Sequence, residues 1–404
     1  RSEPVSRAPP WLGIVGFALA YYGCAHISYD LSVTQGGPLG FWLPSGLFLG
    51  VLLIAERRHW LLLVLAAGLG DLCYNFPGNT WPLRYLLYAH LGNSLAAVAG
   101  AWLVRRWVAE RPALSSLREL VGLVVLGGLV SLPLSATVGA LLLRILYGTA
   151  SYGSYWTSWY CSDLLGVLLL TPALLAWRTA TFRPAVWRFA AREFEATVLL
   201  TSLIATLSLA YYFHWPQQTE TLYLAFPFVI WASLRFGLRG ATGVILINAL
   251  LAAWFTAHGF GLIGSSRLSS SQKIVEILLS QGVFILVGLL PTIALAAQRQ
   301  AEAALREKDR VYRDLIESIN QSYYVADRHS RFTYCNPALY AMGEYSRDDL
   351  DGISCFRLVA EEDRARVMQA YRQWARDPAM TEVRCEFRAA TKSGRRFWVE
   401  QALE

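Results

Sequence analysis

A few polar side chains interrupt long apolar stretches in residues 1–297, and these are the first candidates for chemistry. Five lie deep inside the stretches and two lie nearer to predicted helix ends: Asp71, Asn93, Asp163, Asn248 and Glu276, then Arg144 and His258. Polar groups in an apolar medium are costly, so each needs a partner or marks a functional site.

Arg144 and Asp163 are predicted to lie close together. Arg144 falls about one turn before the outer end of its helix, and Asp163 about two turns into the next helix. A short loop joins the two helices, so they should be antiparallel neighbours, and we predict an Arg144–Asp163 ion pair. Two interpretations stay open: a structural contact between helices, or the border of a ligand cavity open to the outside.

Aromatic residues are placed where such a cavity would be lined, and Pro44 and Gly46 would leave helix backbone groups free for a partner or a ligand. The predicted ligand-binding candidates are Trp42, Pro44, Asp71, Asn93, Arg144, Trp159, Tyr160 and Asp163. A cavity of this kind suits a planar or amphipathic small molecule.

The sequence contains no recognisable catalytic constellation. It shows no glycine-rich phosphate loop, no nucleophile with a base and no metal-ligand cluster. The six cysteines show no C-x-x-C pair and no histidine at metal-binding spacing, so we expect reduced thiols. We predict no catalytic residue, no metal and no cofactor in this chain.

Composition indicates a membrane protein with several spans. The chain has 404 residues, is 55% hydrophobic and has a mean hydropathy of +0.35. Its net charge of +7 lies wholly in residues 1–297, which have 18 Lys and Arg against 11 Asp and Glu, whereas residues 298–404 have 18 of each. The excess charge therefore belongs to membrane topology, and a nucleic-acid-binding surface is not expected.

Ten apolar segments can be marked: 11–29, 40–55, 60–76, 83–104, 117–147, 157–177, 194–213, 221–234, 240–258 and 272–297. Arginines cluster at every second connection, as at Arg57, Arg105, Arg183 and Arg235. The positive-inside rule then places both termini in the cytoplasm. Segments 40–55 and 221–234 are short for a full span, so eight spans are the alternative to ten.

A run of strong helix formers continues the last apolar segment over residues 298–320. Leu305, Tyr312 and Leu315 fall on one apolar stripe of this connecting helix, and we predict that they relay a signal. The stripe forms either a dimer seam or one side of a solvated linker helix. Residues 321–404 then predict a mixed α/β domain with a first hairpin near 323–338 and a second turned at 392–394.

Five motifs in order resemble the first class of MASE-type bacterial membrane-associated sensor domains. They are 41–46 (FWLPSG), 68–72 (GLGDL), 92–95 (GNSL), 159–168 (WYCSDLLGVL) and 231–240 (WASLRFGLRG). The resemblance covers about residues 12–297 and implies an integral membrane input module of a signalling protein. The family is usually described with eight spans.

Residues 321–404 resemble a PAS domain through 345–352 (YSRDDLDG), 361–364 (EEDR) and 387–398 (FRAATKSGRRFW). The match stops before the last strand, so we expect the chain to end inside that fold. PAS domains hold haem, flavin or metabolites, or only relay and dimerise. Cys335 lacks the surroundings of a photoactive flavin cysteine and His329 lies in a turn, so a relay domain without cofactor is favoured.

These resemblances imply a polytopic α-helical membrane protein of about 8–10 spans, a connecting helix and a PAS domain, with boundaries 1–10, 11–297, 298–320 and 321–404. We expect the sensory and relay part of a bacterial receptor in the inner membrane, with a cytoplasmic PAS domain, a small-molecule stimulus and a homodimer. A sensor histidine kinase acting on a response regulator is favoured. The alternatives are a diguanylate cyclase or phosphodiesterase, and a transporter with a regulatory PAS domain.

Overall fold

Backbone amides in an apolar medium must bond within their own segment, so the apolar stretches form helices. The computed structural model describes residues 10–32, 40–75, 83–148, 151–178, 186–212, 224–260, 263, 266–376 and 383–403. It divides into two compact units, Arg1–Arg299 and Gln300–Glu404.

The first unit is helical. Its helices are α1 (Pro10–Asp30), α2 (Leu43–Ile54), α3 (Trp60–Asn75), α4 (Leu83–Trp107), α5 (Leu117–Gly122), α6 (Leu132–Tyr147), α7 (Tyr152–Trp177), α8 (Val186–Tyr212), α9 (Phe226–Ala257) and the first part of α10 (Ser270–Ser318), which continues into the second unit. Among the described residues, seven helices are long and apolar enough to cross a membrane, with α5 and α6 counted as one rod. Helices α2 and α3 are shorter, with 12 and 16 residues.

Helix α9 folds back on itself at Gly237, whose φ of 65° and ψ of −151° are not helical. A Cβ added to Gly288 of α10 would lie 2.7 Å from Ile245 and 2.9 Å from Val229. In a straight helix those two residues would be about 24 Å apart. Both halves of α9 therefore pack on α10 as a hairpin, in agreement with the separate predicted segments 221–234 and 240–258.

Arginines from four connections are linked through contacts at one end of the bundle. Arg57 and Arg105 both bind Glu110, at 2.9 and 3.0 Å. Further along the chain, Arg178 donates to the Arg111 carbonyl and Arg239 to the Ala176 carbonyl. The predicted threading places these arginine-rich connections on the same side of the membrane, and the contacts agree with it. Arg183, which was predicted to belong to this group, lies outside the described residues.

Helices α5 and α6 are joined by a wide π-helical segment, Leu123–Val130. Ser131 follows it and donates its hydroxyl to the Gly127 carbonyl at 2.8 Å. The glycines of this segment lie against neighbouring helices, and a Cβ on Gly128 would lie 2.8 Å from Leu164 of α7. Such segments often occur at functional sites, and this one borders the polar cluster described below.

The second unit has two antiparallel hairpins and short helices. Its elements are β1 (Tyr324–Ala326), β2 (Phe332–Cys335), α11 (Pro337–Gly343), α12 (Arg347–Leu350), α13 (Glu361–Arg376), β3 (Val383–Ala390) and β4 (Arg396–Leu403). Strand β1 pairs with β2, and β3 pairs with β4 from Val383 opposite Leu403 to Ala390 opposite Arg396. Gly394 takes a φ of 89° in the second turn, as predicted for that hairpin.

Candidate functional site

Helix α2 enters the bundle with its first backbone groups already bonded. The Trp42 amide donates to the Ser162 carbonyl at 2.9 Å, and the Leu43 amide donates to the Ser28 hydroxyl at 3.0 Å. Pro44 lies in the first helical turn, where its missing N–H is not needed. Neighbouring helices are thus the partners of these backbone groups, which is one of the two uses, a partner or a ligand, predicted for groups near Pro44.

Helices α2 and α7 approach each other at two glycines. A Cβ on Gly46 would lie 2.0 Å from the Gly166 carbonyl oxygen, and a Cβ on Gly166 would lie 2.0 Å from the Trp42 carbonyl oxygen. The Thr171 hydroxyl also donates to the Gly46 carbonyl at 2.8 Å. Backbone contact at this distance requires glycine on both helices. It brings Ser45 against α7.

Asp163 of α7 is the centre of a buried polar cluster and is only 1% exposed. Ser45 of α2 donates to its Oδ1 at 2.7 Å, and the Ser135 hydroxyl of α6 lies 2.9 Å from its Oδ2. Ser135 also lies 2.6 Å from Asn93 Oδ1 of α4 and accepts the indole N–H of Trp159 at 2.9 Å. Four helices are joined at this one cluster, which we call the Asp163 cluster.

A small cavity borders the Asp163 cluster and has a volume of about 10 Å³. Its polar wall is formed by Ser45, Asn93, Ser135 and Asp163, and its apolar wall includes Gly127 of the π-helical segment. This volume suits one water-sized species. Pockets for organic ligands are roughly 300–1,000 Å³, so a planar or amphipathic molecule does not fit this cavity as described.

The predicted Arg144–Asp163 pair is wrong. Within the described part of the chain, Asp163 is bound by hydroxyl groups, and Arg144 is exposed near the end of α6. Helix α7 begins at Tyr152 and not at residue 157, so Asp163 lies about 7 Å deeper than predicted. The residue of α6 at its depth is Ser135, nine positions before Arg144.

A second polar cluster lies on α1, α3 and α4. The Tyr21 hydroxyl donates to Asp71 Oδ2 at 3.2 Å, and His90 Nδ1 lies 2.9 Å from the same oxygen. The Ser94 hydroxyl lies 3.1 Å from His90 Nε2. Asp71, a predicted candidate, therefore has a histidine partner. The sequence prediction missed that partner, although His90 lies one turn before Asn93 on the same helix.

The predicted aromatic lining is divided between different places. Trp159 belongs to the Asp163 cluster, and its ring lies 2.7 Å from where a Cβ on Gly139 would be. Tyr160 stacks on Trp156 with ring centroids 5.1 Å apart, and Trp42 meets Tyr74 edge-on at 6.3 Å. Trp42 and Tyr160 do not line the cavity beside Asp163. Ser45 and Ser135 do line it, and Ser45 is part of the FWLPSG motif.

In the second unit, Asn336 binds the end of helix α10. It is fully buried, and its Nδ2 donates to the carbonyls of Ile316 and Gln321, at 3.2 and 2.9 Å. Its Oδ1 accepts the backbone N–H groups of Tyr323 and Leu339, at 2.9 and 3.0 Å. One side chain thus caps α11 and holds the carbonyl end of α10.

The predicted relay residues Leu305, Tyr312 and Leu315 are exposed, with 62, 65 and 56% of their surface accessible.

Two titratable groups of the second unit, Asp363 and Cys335, have shifted pKa values. The Arg388 guanidinium beside Asp363 holds the pKa of that carboxyl well below its usual range. Burial raises the pKa of the Cys335 thiol to about 11, so this cysteine is a neutral thiol at neutral pH.

A bundle of long apolar helices followed by a small α/β domain defines a multi-span membrane protein with an attached PAS-type domain. The MASE1 family model matches residues 11–301, and a PAS domain model matches residues 320–403. The MASE1 match covers more than half of the chain, so the chain belongs to the MASE1 family. Comparison with curated proteins and with solved structures gives no match.

MASE1 is a membrane domain, and a MASE1 domain followed by a PAS domain is a membrane sensory input region of a signalling receptor. Both predicted resemblances are confirmed. Among the described residues there is no group of three or more His, Cys, Asp or Glu side chains that could hold a metal ion.

Proposed function

We propose that this chain is the input and relay part of a sensor histidine kinase and that helix α10 carries the signal. The supporting observation is the continuity of α10 from Ser270 to Ser318, without an interruption at the boundary between the two units. Ile277 and Phe284 of this helix are buried in the membrane unit, and Asn336 binds its other end. A stimulus that moves α10 therefore acts on the PAS domain directly.

The stimulus acts, in this proposal, on the helices joined at the Asp163 cluster. Helix α7 carries Asp163 and also packs on α9, where the Arg239 side chain donates to the Ala176 carbonyl at 3.2 Å. Helix α9 in turn packs on α10 and contributes the Asn248 amide, which donates to Gln281 at 3.1 Å. This is a continuous route from Asp163 to the connecting helix.

The exposed stripe of Leu305, Tyr312 and Leu315 favours a homodimer through the connecting helices. Clustered arginines at one end of the bundle favour a multi-pass protein of the inner membrane with a cytoplasmic PAS domain. A response regulator is then the expected downstream partner.

The test of the output is made on the full-length protein in nanodiscs. A histidine kinase incorporates acid-labile phosphate from ATP and passes it to a response regulator. Synthesis of a cyclic dinucleotide from GTP, without that labelling, would contradict the kinase and favour the cyclase alternative. Energy-dependent solute accumulation in vesicles, with neither activity, would favour a transporter.

A further inference from the structure

When Asp163 is ionised, the described part of the membrane unit offers no cation that contacts its carboxylate. Its carboxyl oxygens contact the hydroxyls of Ser45 and Ser135. Three ionisable groups near the site, Tyr21, Asp71 and His90, bind one another in the second cluster. A lone carboxylate at low dielectric costs several kcal/mol, so a positive species is needed at this site.

The hydrogen bonds around Ser135 are one hydrogen short when Asp163 is ionised. Ser135 has a single hydroxyl hydrogen, yet Asn93 Oδ1 and Asp163 Oδ2 both lie within 2.9 Å of its oxygen. The indole N–H of Trp159 already donates to that same oxygen. With the Asn93 oxygen facing Ser135, one of the two short contacts therefore lacks a hydrogen. Either a positive species between these oxygens or a rotated Asn93 amide, whose Nδ2 would donate to Ser135, removes the deficit.

The donor set and the space available define the class of that species. Five oxygens of four side chains, Ser45, Asn93, Ser135 and Asp163, face a cavity of about 10 Å³. Oxygen donors suit hard cations, and the absence of sulfur and imidazole among these four side chains disfavours transition metals. One carboxylate balances one positive charge, and the volume is that of a single water-sized species.

We propose that the Asp163 cluster binds one small monovalent cation, a sodium ion or a proton, as the charge-balancing ligand of Asp163. The cation holds α2, α4, α6 and α7 together, because each of these helices contributes one of the four side chains. Its loss leaves an unbalanced carboxylate beside the π-helical segment and the close contact of Gly46 with Gly166. Cation binding does not rest on the proposed function. The further step, that gain or loss of the cation is the stimulus carried by α10, does rest on it.

The test is thermal unfolding of the purified chain in nanodiscs, with sodium, potassium or choline chloride at constant ionic strength and pH 6 to 9. For a sodium site, the midpoint temperature rises saturably with sodium at high pH, but not with choline. For a proton site, it rises as the pH falls, whatever the salt. Asp163→Asn, which keeps the shape and removes the charge, should abolish either dependence.

Asp71→Asn is the matched control, since it removes another buried carboxylate of the same unit and should keep the dependence. Ser45→Ala and Ser135→Ala each remove one oxygen and should weaken the apparent affinity about tenfold, the effect of losing roughly 1.4 kcal/mol. These two variants serve if Asp163→Asn does not fold.

The proposal is overturned if the wild-type protein responds to neither ion, or if Asp163→Asn or both serine variants keep the wild-type response. A protein that binds the cation but whose full-length form does not change its output would contradict the cation as the stimulus and leave the site standing.

Discussion

At the residue scale, Gly46 and Gly166 leave the least room for a Cβ among the glycines that the structure describes. Gly166→Ala would place a methyl group 2.0 Å from the Trp42 carbonyl oxygen, so the helices must separate. We expect a loss of about 1–3 kcal/mol from overpacking, measured as a lower midpoint of thermal unfolding in nanodiscs. Gly23→Ala of α1 is the control, because its Cβ would meet nothing within 4 Å. Equal effects of the two substitutions would contradict this close packing.

Asp363 and Arg388 form an ion pair that stabilises the second unit. Arg388 Nε lies 3.0 Å from Asp363 Oδ2. The guanidinium lowers the pKa of Asp363 in the folded state, so the stabilisation is present above the unfolded-state pKa of about 3.9 and is lost as the pH falls below it. Hydrogen exchange over 361–376 and 383–390 should therefore accelerate below about pH 4, relative to the intrinsic rate. Asp363→Asn should show less of this acceleration, and the exposed-residue control Glu386→Gln should match the wild type.

Polar residues in apolar helices could be recognised from the sequence, but their partners could not. Asp163, Asn93 and Trp159 were predicted together, and the structure brings them together. The partner of Asp163 was predicted as Arg144 because an error of five residues in the start of α7 shifts depth by about 7 Å. Ser135 carries little sequence signal, since a serine is often found inside a membrane helix without a functional role.

At the element scale, the chain of contacts around Asn336 decides how α10 ends. Asn336→Asp keeps an oxygen for the Leu339 and Tyr323 amides but loses the donors to Ile316 and Gln321. Asn336→Ala loses both sets of bonds, and each buried group left without a partner costs about 1–3 kcal/mol.

We therefore expect Asn336→Asp to preserve α11 and to accelerate hydrogen exchange around 316–321, with a weaker response of the full-length protein to its stimulus. The alanine variant should accelerate exchange in both regions. If the aspartate variant exchanges and responds like the wild type, the donors of Asn336 do not hold the connecting helix.

Boundaries of elements were predictable where the pattern was strong. The segments over α1 and α10 and both hairpins of the second unit agree with the structure within a few residues, because apolar periodicity and turn residues define them. The predicted starts of α7 and α8, at 157 and 194, lie after the observed ones at Tyr152 and Val186. The first turns of both helices are polar or aromatic, so the apolar pattern does not include them. The π-helical segment Leu123–Val130 has no sequence pattern of its own and was not predicted.

At the scale of the whole molecule, the linked arginines predict which end of the bundle faces the cytoplasm. Ser115 lies beside that end, between α4 and α5, and Ser151 precedes α7 at the opposite end. In intact cells, Ser151→Cys should react with a membrane-impermeant thiol reagent, and Ser115→Cys only after permeabilisation. The parent protein, with its own six cysteines, gives the background. Labelling of both positions from outside would contradict the threading.

The two units are joined by α10, so the phase of this helix should control the output. Each inserted alanine after Ala303 rotates everything downstream by about 100°, and seven residues restore the phase to within about 20°. We expect the autophosphorylation of the full-length protein, or its cyclic-dinucleotide synthesis, to change with insert length and to recover near seven residues.

A flexible Gly-Ser insert of seven residues is the matched control. It keeps the length but breaks the helix, and should uncouple output from stimulus. Unchanged unfolding of the membrane unit would show that only transmission is affected. Output that ignores both phase and flexibility would make α10 a tether, and the signal would then need a separate partner protein.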